Sequence, residues 1–286
     1  MNTKVRELTS KDYPYFAAMD TAVEGDYIGH IFDHLTTGNH RLFGLFENNE
    51  MISMGGYSIF AGRYAMLGRL RSDRRYWGKN YATDVLTYVL NEARKIKGVC
   101  WIGANTQEHN LPAQRVVEKL GLSPYITLHG AVTKDISKLE SGANLWTPVH
   151  STKRKKYWLN EVFIQSSKVF PYECYYPFPA SEALFPENEI EHWSFYENES
   201  KTRVLITKYD QKKDHYLHVV YPWCDFSVQK GLWDTITFAY RQLTKRTEGD
   251  TYIWIDFTKK QIQALLAIHP FEIPPAWILY GGEVKN

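Results

Sequence analysis

Residues 76–83 read Tyr-Trp-Gly-Lys-Asn-Tyr-Ala-Thr and stand between a predicted strand and a long predicted helix. Gly78 and Asn80 are residue types that enter left-handed backbone conformations at low cost. Such residues directly before a helix leave backbone N–H groups unpaired beside the positive end of the helix dipole. This arrangement binds phosphate oxygens, so the segment predicts a phosphate site. An ordinary strand-to-helix turn is the alternative.

The elements around this turn form a recognisable order. Apolar residues at helical spacing mark the helix itself: Ala82, Val85, Leu86, Val89, Leu90 and Ala93. Three antiparallel strands are predicted before it, over 41–47, 51–59 and 63–71, after a strand over 4–9 and a helix over 26–35. A buried strand over 99–104, a helix over 111–120 and strands over 125–128 and 131–136 follow it.

The order β-β-β-α-β-α-β is predicted twice, which indicates a duplicated unit. Its second copy comprises strands over 191–197, 203–210 and 216–223, a helix from 228 to 243, a strand over 252–257, a helix over 259–268 and a strand over 276–280. We place the boundary in the segment 140–156 and predict domains over 1–145 and 146–286, with the basic run 153–156 in a solvated linker. The segment 222–228 of the second copy has no glycine, so we expect no phosphate site there.

Composition excludes several classes of function. A net charge of +2 over 286 residues gives no electrostatic case for nucleic acid or an anionic membrane. Cys100, Cys174 and Cys224 are too few and too dispersed for a disulfide framework or a paired-cysteine metal site, so no metal is predicted. No segment has the length of a transmembrane span, and the N-terminus has no apolar signal core, so we expect a cytoplasmic protein.

From residue 3 to about 137 the chain resembles the GNAT superfamily of N-acetyltransferases, most strongly over 69–83 and 110–122. The superfamily pattern is Gln/Arg-x-x-Gly-x-Gly/Ala, for which this chain has Trp77, Asn80 and Ala82. The turn is most similar to the ribosomal-protein alanine acetyltransferase branch, which reads Tyr-Trp-Gly-Lys-Gly-Tyr-Ala-Thr. The resemblance implies a fold of the α/β class (α+β, with a mixed sheet), in which helices flank a central, mostly antiparallel sheet. It also implies a tandem arrangement in which the second copy is degenerate.

The resemblance further implies that acetyl-CoA is the co-substrate and suggests where it binds. The cofactor-binding residues it implies are Leu70, Arg71, Trp77, Gly78, Lys79, Asn80, Tyr81, Ala82, Thr83, Asn110 and Ala113. At Leu70 and Arg71 a backbone N–H is expected to polarise the acetyl carbonyl, while Asn110 and Ala113 are expected to admit the pantetheine arm. Helix capping is the alternative role for Asn110. Many family members have a tyrosine at the position of Val117 that protonates the thiolate.

The reaction implied is an acyl transfer in which a primary amine attacks the thioester directly. Candidates for the base, by placement, are Glu47, His30, Asp33 and His34, and we assign none of them. His30 and His34 are four residues apart, a spacing that also suits metal binding, although an exposed polar helix face is the simpler interpretation.

The expected partner is a small-molecule or peptide amine bound by a monomer or homodimer, without nucleic acid or membrane. A CoA-binding regulatory or structural protein without turnover is the alternative, because Asn80 and Val117 depart from the family pattern and the second half is degenerate. A nucleic-acid module that uses the aromatic second half is a third interpretation.

Overall fold

A computed structural model of the chain describes residues 3–265 and 268–284. These residues divide into two compact units: the first runs to residue 125 and resumes at residue 278, and the second covers 126–277. This division departs from the predicted boundary near residue 145. The strand over Ser123–Thr133, predicted for the first domain, lies mostly in the second unit. The last strand, over Trp277–Glu283, lies mostly in the first unit.

The strands are β1 (Lys4–Glu7), β2 (His40–Glu47), β3 (Glu50–Phe60), β4 (Tyr64–Ser72), β5 (Trp101–Gln107), β6 (Ser123–Thr133), β7 (Thr147–Pro148), β8 (Val169–Glu173), β9 (Tyr176–Pro179), β10 (Ser194–Glu197), β11 (Val204–Gln211), β12 (His215–Val220), β13 (Thr251–Phe257) and β14 (Trp277–Glu283). The helices are α1 (Tyr13–Ala17), α2 (Ile28–Leu35), α3 (Tyr81–Arg94), α4 (Leu111–Lys119), α5 (Thr152–Leu159), α6 (Glu187–His192), α7 (Leu232–Thr244) and α8 (Lys259–Gln263). None of the helices within 3–265 and 268–284 combines the length and the apolar character that a bilayer crossing requires.

The first unit is a mixed sheet with helices on both faces. Its strand order is β1-β2-β3-β4-β5-β14; the first four strands run antiparallel and β5 runs parallel to β4. Apolar residues of α3 and α4, such as Val89 and Val117, pack on one face. Residues of α1 and α2, such as Phe16 and Phe32, pack on the other face. The predicted sheet flanked by helices is therefore confirmed.

The second unit repeats the central part of this order. Its strands follow the order β6-β13-β12-β11-β10-β7, and α7 packs against one face through residues such as Ile236. An antiparallel meander (β10–β12), a long helix (α7) and a strand parallel to the last meander strand (β13) correspond to β2–β4, α3 and β5. The meander, the long helix and the following parallel strand of the predicted second copy are therefore present, whereas its predicted last strand, over 276–280, lies mainly in the first unit.

Several predicted elements of the later chain differ from the structure. The two strands predicted over 125–136 are the single strand β6. The helix predicted from Val228 begins at Leu232, and Val228 lies outside it with 71% of its surface exposed. The helix predicted over 259–268 ends at Gln263 as α8, and its residues 266–267 lie outside the described residues.

No helix or strand is predicted between residues 150 and 190, yet regular elements lie there, and the last of them extends into the strand predicted over 191–197. These are α5, a π-helical turn over Asn160–Ile164, the hairpin β8–β9 and α6. The basic run 153–156 is therefore not a solvated linker. It lies in α5, where the buried Lys155 donates hydrogen bonds from Nζ to the carbonyl oxygens of Ile190 and Trp193.

Candidate active site

Strand β4 contains a bulge next to the point where its pairing with β5 ends. The β3–β4 register pairs Gly56 with Gly68 and Met54 with Arg71, so Arg69 and Leu70 bulge between these pairs. The β4–β5 register joins 64–67 to 101–104, and no further pair joins the two strands in the described residues. Bulges re-aim the backbone where strand pairing ends. The structure thus separates β4 from β5 beside Leu70 and Arg71, where the sequence predicts an acetyl-binding donor.

The side chain of Arg71 is held by a carboxylate. Its Nε and Nη2 atoms donate to Asp26 Oδ2 at 2.6 Å and Oδ1 at 2.8 Å. Asp26 Oδ1 also accepts from the Ile28 amide at the start of α2. This bidentate, largely buried pair fixes the loop before α2 to β4. The guanidinium is therefore committed to Asp26.

Asp73 fixes the backbone that leads into the turn, and the sequence analysis missed it. Its fully buried carboxylate accepts from the amides of Arg75 at 2.9 Å and Asp20 at 3.2 Å, and from the Arg75 guanidinium. The Arg75 side chain is the main reason that the pKa of Asp73 is lowered to about 2. Asp73 caps the 3-10 turn Arg74–Tyr76, and an acidic residue before such a turn is the signal that could have revealed it.

The turn itself has the backbone conformation that the sequence predicts. Gly78 has φ +80° and Asn80, the N-cap of α3, has φ +67°. The N–H groups of residues 78–82 donate to no acceptor in the described part of the chain, whereas the Thr83 N–H returns to the Asn80 carbonyl oxygen at 2.9 Å. Residues 77–80 are exposed. A run of accessible N–H groups thus lies at the positive end of the α3 dipole.

Side chains around the turn add positive charge and leave its backbone open. Trp77 is 60% exposed, and its Nε1 donates to the Ser72 carbonyl oxygen at 3.2 Å. Lys79 Nζ lies 5.1 Å from the centroid of the Tyr76 ring. Lys119, at the end of α4, donates from Nζ to Asn80 Oδ1 at 2.9 Å. Lys119 was not predicted, because the end of α4 meets the turn only in the fold.

The Asn80 carboxamide is already bound by its neighbours. Besides accepting from Lys119, it donates from Nδ2 to Asp84 Oδ1 at 3.3 Å. These two contacts draw the side chain toward α3 and α4. Asn80 therefore supplies the left-handed conformation that glycine supplies in the superfamily pattern, with its polar atoms satisfied.

The second motif starts α4 as a capped helix. Asn110 is the N-cap, and its Oδ1 accepts from the Ala113 amide at 3.2 Å. The capping role considered for Asn110 is therefore confirmed, and the Ala113 N–H is occupied by the cap. Val117 is buried in the core with Leu86 and Val89.

The four candidate bases have different surroundings. Glu47 is buried at the end of β2, and its Oε1 accepts from the Tyr81 hydroxyl at 3.4 Å, beside the start of α3. His30 and His34 are exposed, as is Asp33. The backbone of Ile31 (φ −122°, ψ 17°) interrupts α2 between the two histidines. Neither histidine belongs to a group of three potential metal ligands in the described residues.

Comparison with known proteins agrees with this geometry. The profile of the acetyltransferase (GNAT) family matches residues 2–122, which contain the bulge, the turn and the Asn110 cap. Over residues 2–122 the chain is therefore similar to the GNAT family. The members of this family are acetyltransferases, and the co-substrate that the family uses is acetyl-CoA.

Solved structures extend the similarity to the whole chain. A GCN5-related N-acetyltransferase from Sphaerobacter thermophilus is 11% identical with a TM-score of 0.59, covering 99% of this chain and 96% of that one. A putative acetyltransferase from Pyrococcus horikoshii is 13% identical with a TM-score of 0.55, covering 99% and 90%. The ribosomal-protein-S18-alanine N-acetyltransferase from Escherichia coli is 17% identical with a TM-score of 0.40, covering 44% and 81%. No curated protein matches the sequence. At these identities the similarity concerns the fold alone.

Proposed function

We propose that the first unit is an N-acetyltransferase that moves an acetyl group from acetyl-CoA to a primary amine by direct attack. The observation that carries the proposal is the row of N–H groups over residues 78–82, which have no acceptor in the described residues. A diphosphate supplies several oxygens that accept from such groups, and the helix dipole favours its charge. The match of residues 2–122 to the GNAT family profile is the reason to expect that this diphosphate belongs to CoA.

The turn offers contacts along the whole diphosphate. Trp77 and Thr83 bound the row of amides, and the small side chain of Ala82 lets a ligand approach the first turn of α3 closely. Lys79 and Lys119 place ammonium groups beside the same backbone, where they would pair with phosphate oxygens.

The thioester end would lie where β4 leaves β5. We propose that a backbone N–H of Leu70 or Arg71 donates to the acetyl carbonyl, and that the pantetheine arm passes the start of α4 at Asn110 and Ala113. One donor aimed at the developing oxyanion contributes roughly 3 kcal/mol to transition-state stabilisation. Holding amine and thioester together contributes on the order of 7–11 kcal/mol.

The acceptor amine must lose its ammonium proton before it attacks. Glu47 is the best-placed of the candidate bases, because it is buried and contacts Tyr81 at the start of α3. The loop fixed by the Asp26–Arg71 pair lies beside the bulge and would border the acceptor. Small-molecule and peptide amines both fit this scheme. A cytoplasmic location and a monomeric or homodimeric state stay predictions.

Substitution at Ala82 tests the site. Titration calorimetry should show CoA binding to the wild type and a loss of about a hundredfold or more in the Ala82→Trp variant, since the indole would occupy the space of the diphosphate. Ala82→Ser is the matched control, because it keeps the volume small and should retain binding. Both variants should keep the wild-type melting temperature. Unchanged CoA binding by a folded Ala82→Trp protein would refute the site.

A CoA-binding protein without turnover is the second candidate, favoured by the buried Val117 at the position where many family members have a tyrosine. Thiol release from acetyl-CoA distinguishes the two. Release that depends on one or more amines supports the transferase. Tight CoA binding without release across small-molecule and peptide amines supports the second candidate.

A further inference from the structure

One face of the second sheet has buried polar side chains beneath the tip of the β8–β9 hairpin. The register aligns Lys208 of β11 with His218 of β12, and His218 with Trp254 of β13. Asp210 and Asp256, each two residues further along a strand, lie on this same face because side chains alternate. α7 packs on the opposite face. Burying polar side chains costs free energy unless each has a hydrogen-bond or charge partner. The contacts of each side chain therefore indicate the role of the cluster.

Three chemically different ligand atoms converge here. Cys174 Sγ, a carboxylate oxygen of Asp210 and a ring nitrogen of His218 all lie within 4.8 Å of one another. Cys174 and His218 have no exposed surface. The three residues come from the hairpin turn, β11 and β12, so no local spacing in the sequence announces them. They form a mixed sulfur, oxygen and nitrogen set.

His218 has one ring nitrogen with a partner and one without. Its Nε2 lies 2.9 Å from Asp256 Oδ2, which also accepts from Trp254 Nε1 at 3.0 Å. Its Nδ1 is buried and has no hydrogen-bond partner. With the proton on Nε2 facing Asp256, Nδ1 keeps a lone pair that no donor in the described residues occupies.

The other two ligands are held in place as well. Asp210 Oδ2 accepts from the Cys174 amide at 2.7 Å, and Oδ1 lies 3.1 Å from Lys212 Nζ. Cys174 is followed by Tyr175 at φ +71°, a left-handed conformation that is unfavourable for a bulky residue. Outer contacts of this kind orient metal ligands in proteins, above all a carboxylate on the second nitrogen of a histidine.

We propose that Cys174, Asp210 and His218 bind a zinc ion inside the second unit, through the thiolate, a carboxylate oxygen and Nδ1. Zinc accepts this combination of ligands, and water would complete a tetrahedral site. The ligand atoms of a tetrahedral zinc ion are roughly 3.3–3.8 Å apart. The three atoms here lie within 4.8 Å of one another, so they need to approach one another by about 1 Å at most to bind the ion. As the zinc–sulfur bond forms, the thiol proton leaves to solvent.

The charges around the cluster accommodate the ion. Glu173, Asp210 and Asp256 face Lys208 and Lys212, which leaves one net negative charge. A divalent cation together with the cysteine thiolate brings the sum to zero. Lys208 does not compete with the ion for a ligand. Its Nζ is held by the carbonyl oxygens of Pro171 and Tyr172.

The expected role of the ion is structural, because it would join the hairpin tip to two strands of the second sheet. It is independent of the proposed acetyl transfer, since none of its ligands belongs to the first unit. The test therefore measures the metal itself. The full-length chain is incubated with zinc, dialysed, and analysed for zinc per chain by mass spectrometry. Cobalt titration of the metal-free protein provides a spectroscopic signature of thiolate ligation.

We expect one zinc per chain and a cobalt–thiolate charge-transfer band, both lost in Cys174→Ser and in His218→Gln. Cys224→Ser is the matched control and should retain both, because Cys224 is outside the cluster. Zinc should raise the melting temperature of the wild type and of Cys224→Ser. If the ligand variants fail to fold, wild-type stoichiometry and the cobalt spectrum still decide. A folded wild type that retains no zinc and gives no such band would overturn the proposal, as would full binding by Cys174→Ser.

Discussion

Helices α3 and α7 begin in the same way but have different surroundings at their first turns. Each follows the last strand of a meander, and each is capped by a left-handed residue, Asn80 at φ +67° or Gly231 at φ +76°. At α3 the N–H groups of residues 78–82 have no acceptor in the described chain. At α7 the chain's own segment 141–146 occupies the corresponding space. Helix geometry alone therefore does not make an anion site; the first turn must also be left open.

Residues 141–146 form several contacts with the first turn of α7. The Asp234 carboxylate accepts from the amides of residues 141, 142 and 143, and the Trp146 amide donates to Thr235 Oγ1 at 2.9 Å. A Cβ at Gly231 would lie 2.0 Å from the Asn144 carbonyl oxygen. From the sequence we expect no phosphate site here because residues 222–228 contain no glycine. The actual cause is the packing of residues 141–146, and the glycine directly before α7 allows it.

The largest expected difference is in the free energy of unfolding, when a glycine at the start of α7 or before α3 is replaced by alanine. Gly231→Ala combines a left-handed conformation with a clash against backbone and should lower the free energy of unfolding by about 3 kcal/mol or more. Gly78→Ala, at φ +80° with no atom within 4 Å of the added Cβ, should lose only about 1 kcal/mol. Urea unfolding measures both. Equal losses would show that the α7 start is as open as the α3 start.

A smaller effect is expected in the pH dependence of stability, through Asp73, which fixes the backbone that leads into the turn before α3. Because the pKa of Asp73 is lowered to about 2 from an ordinary 3.8, its stabilisation is complete above about pH 4 and is lost as the pH falls toward 2. The partner Arg75 is half-exposed, so we expect about 1–2 kcal/mol.

Unfolding free energies from pH 6 down to pH 2.5 should therefore fall more steeply in the wild type than in Asp73→Asn, provided both unfold reversibly. The variant should be less stable at neutral pH and should converge on the wild type in acid. Parallel curves would contradict the role of the ionised carboxylate in the turn.

The smallest effect tests the cap of α3. Asn80→Ala should lose about 1 kcal/mol of stability because alanine disfavours positive φ, whereas Asn80→Gly should stay within a few tenths. Asn80→Gly should also retain CoA binding, since the Asn80 side chain contacts Asp84 and Lys119. Thermal unfolding and calorimetry report these values. An Asn80→Gly protein that loses CoA would assign the carboxamide a direct role in binding.

Sequence reasoning succeeded where the determinants are local. Neighbouring residues along the chain determine the turn at Gly78 and Asn80, the apolar face of α3 and the cap at Asn110. The structure contains all three features. It failed where distant segments meet. The placement of β14 in the first unit and the packing of residues 141–146 on α7 depend on tertiary contacts. The convergence of Cys174 with His218 likewise depends on how the β8–β9 turn packs on the sheet, which no spacing in the sequence reveals.

The central claim is that CoA binds at the start of α3 and not at the start of α7. Backbone amide chemical shifts of the full-length protein, followed during CoA addition, test it most directly. Addition of CoA should produce large shifts for residues 78–82 and leave the signals of residues 231–235 unchanged. Shifts at residues 231–235, or none at residues 78–82 in the presence of bound CoA, would contradict it.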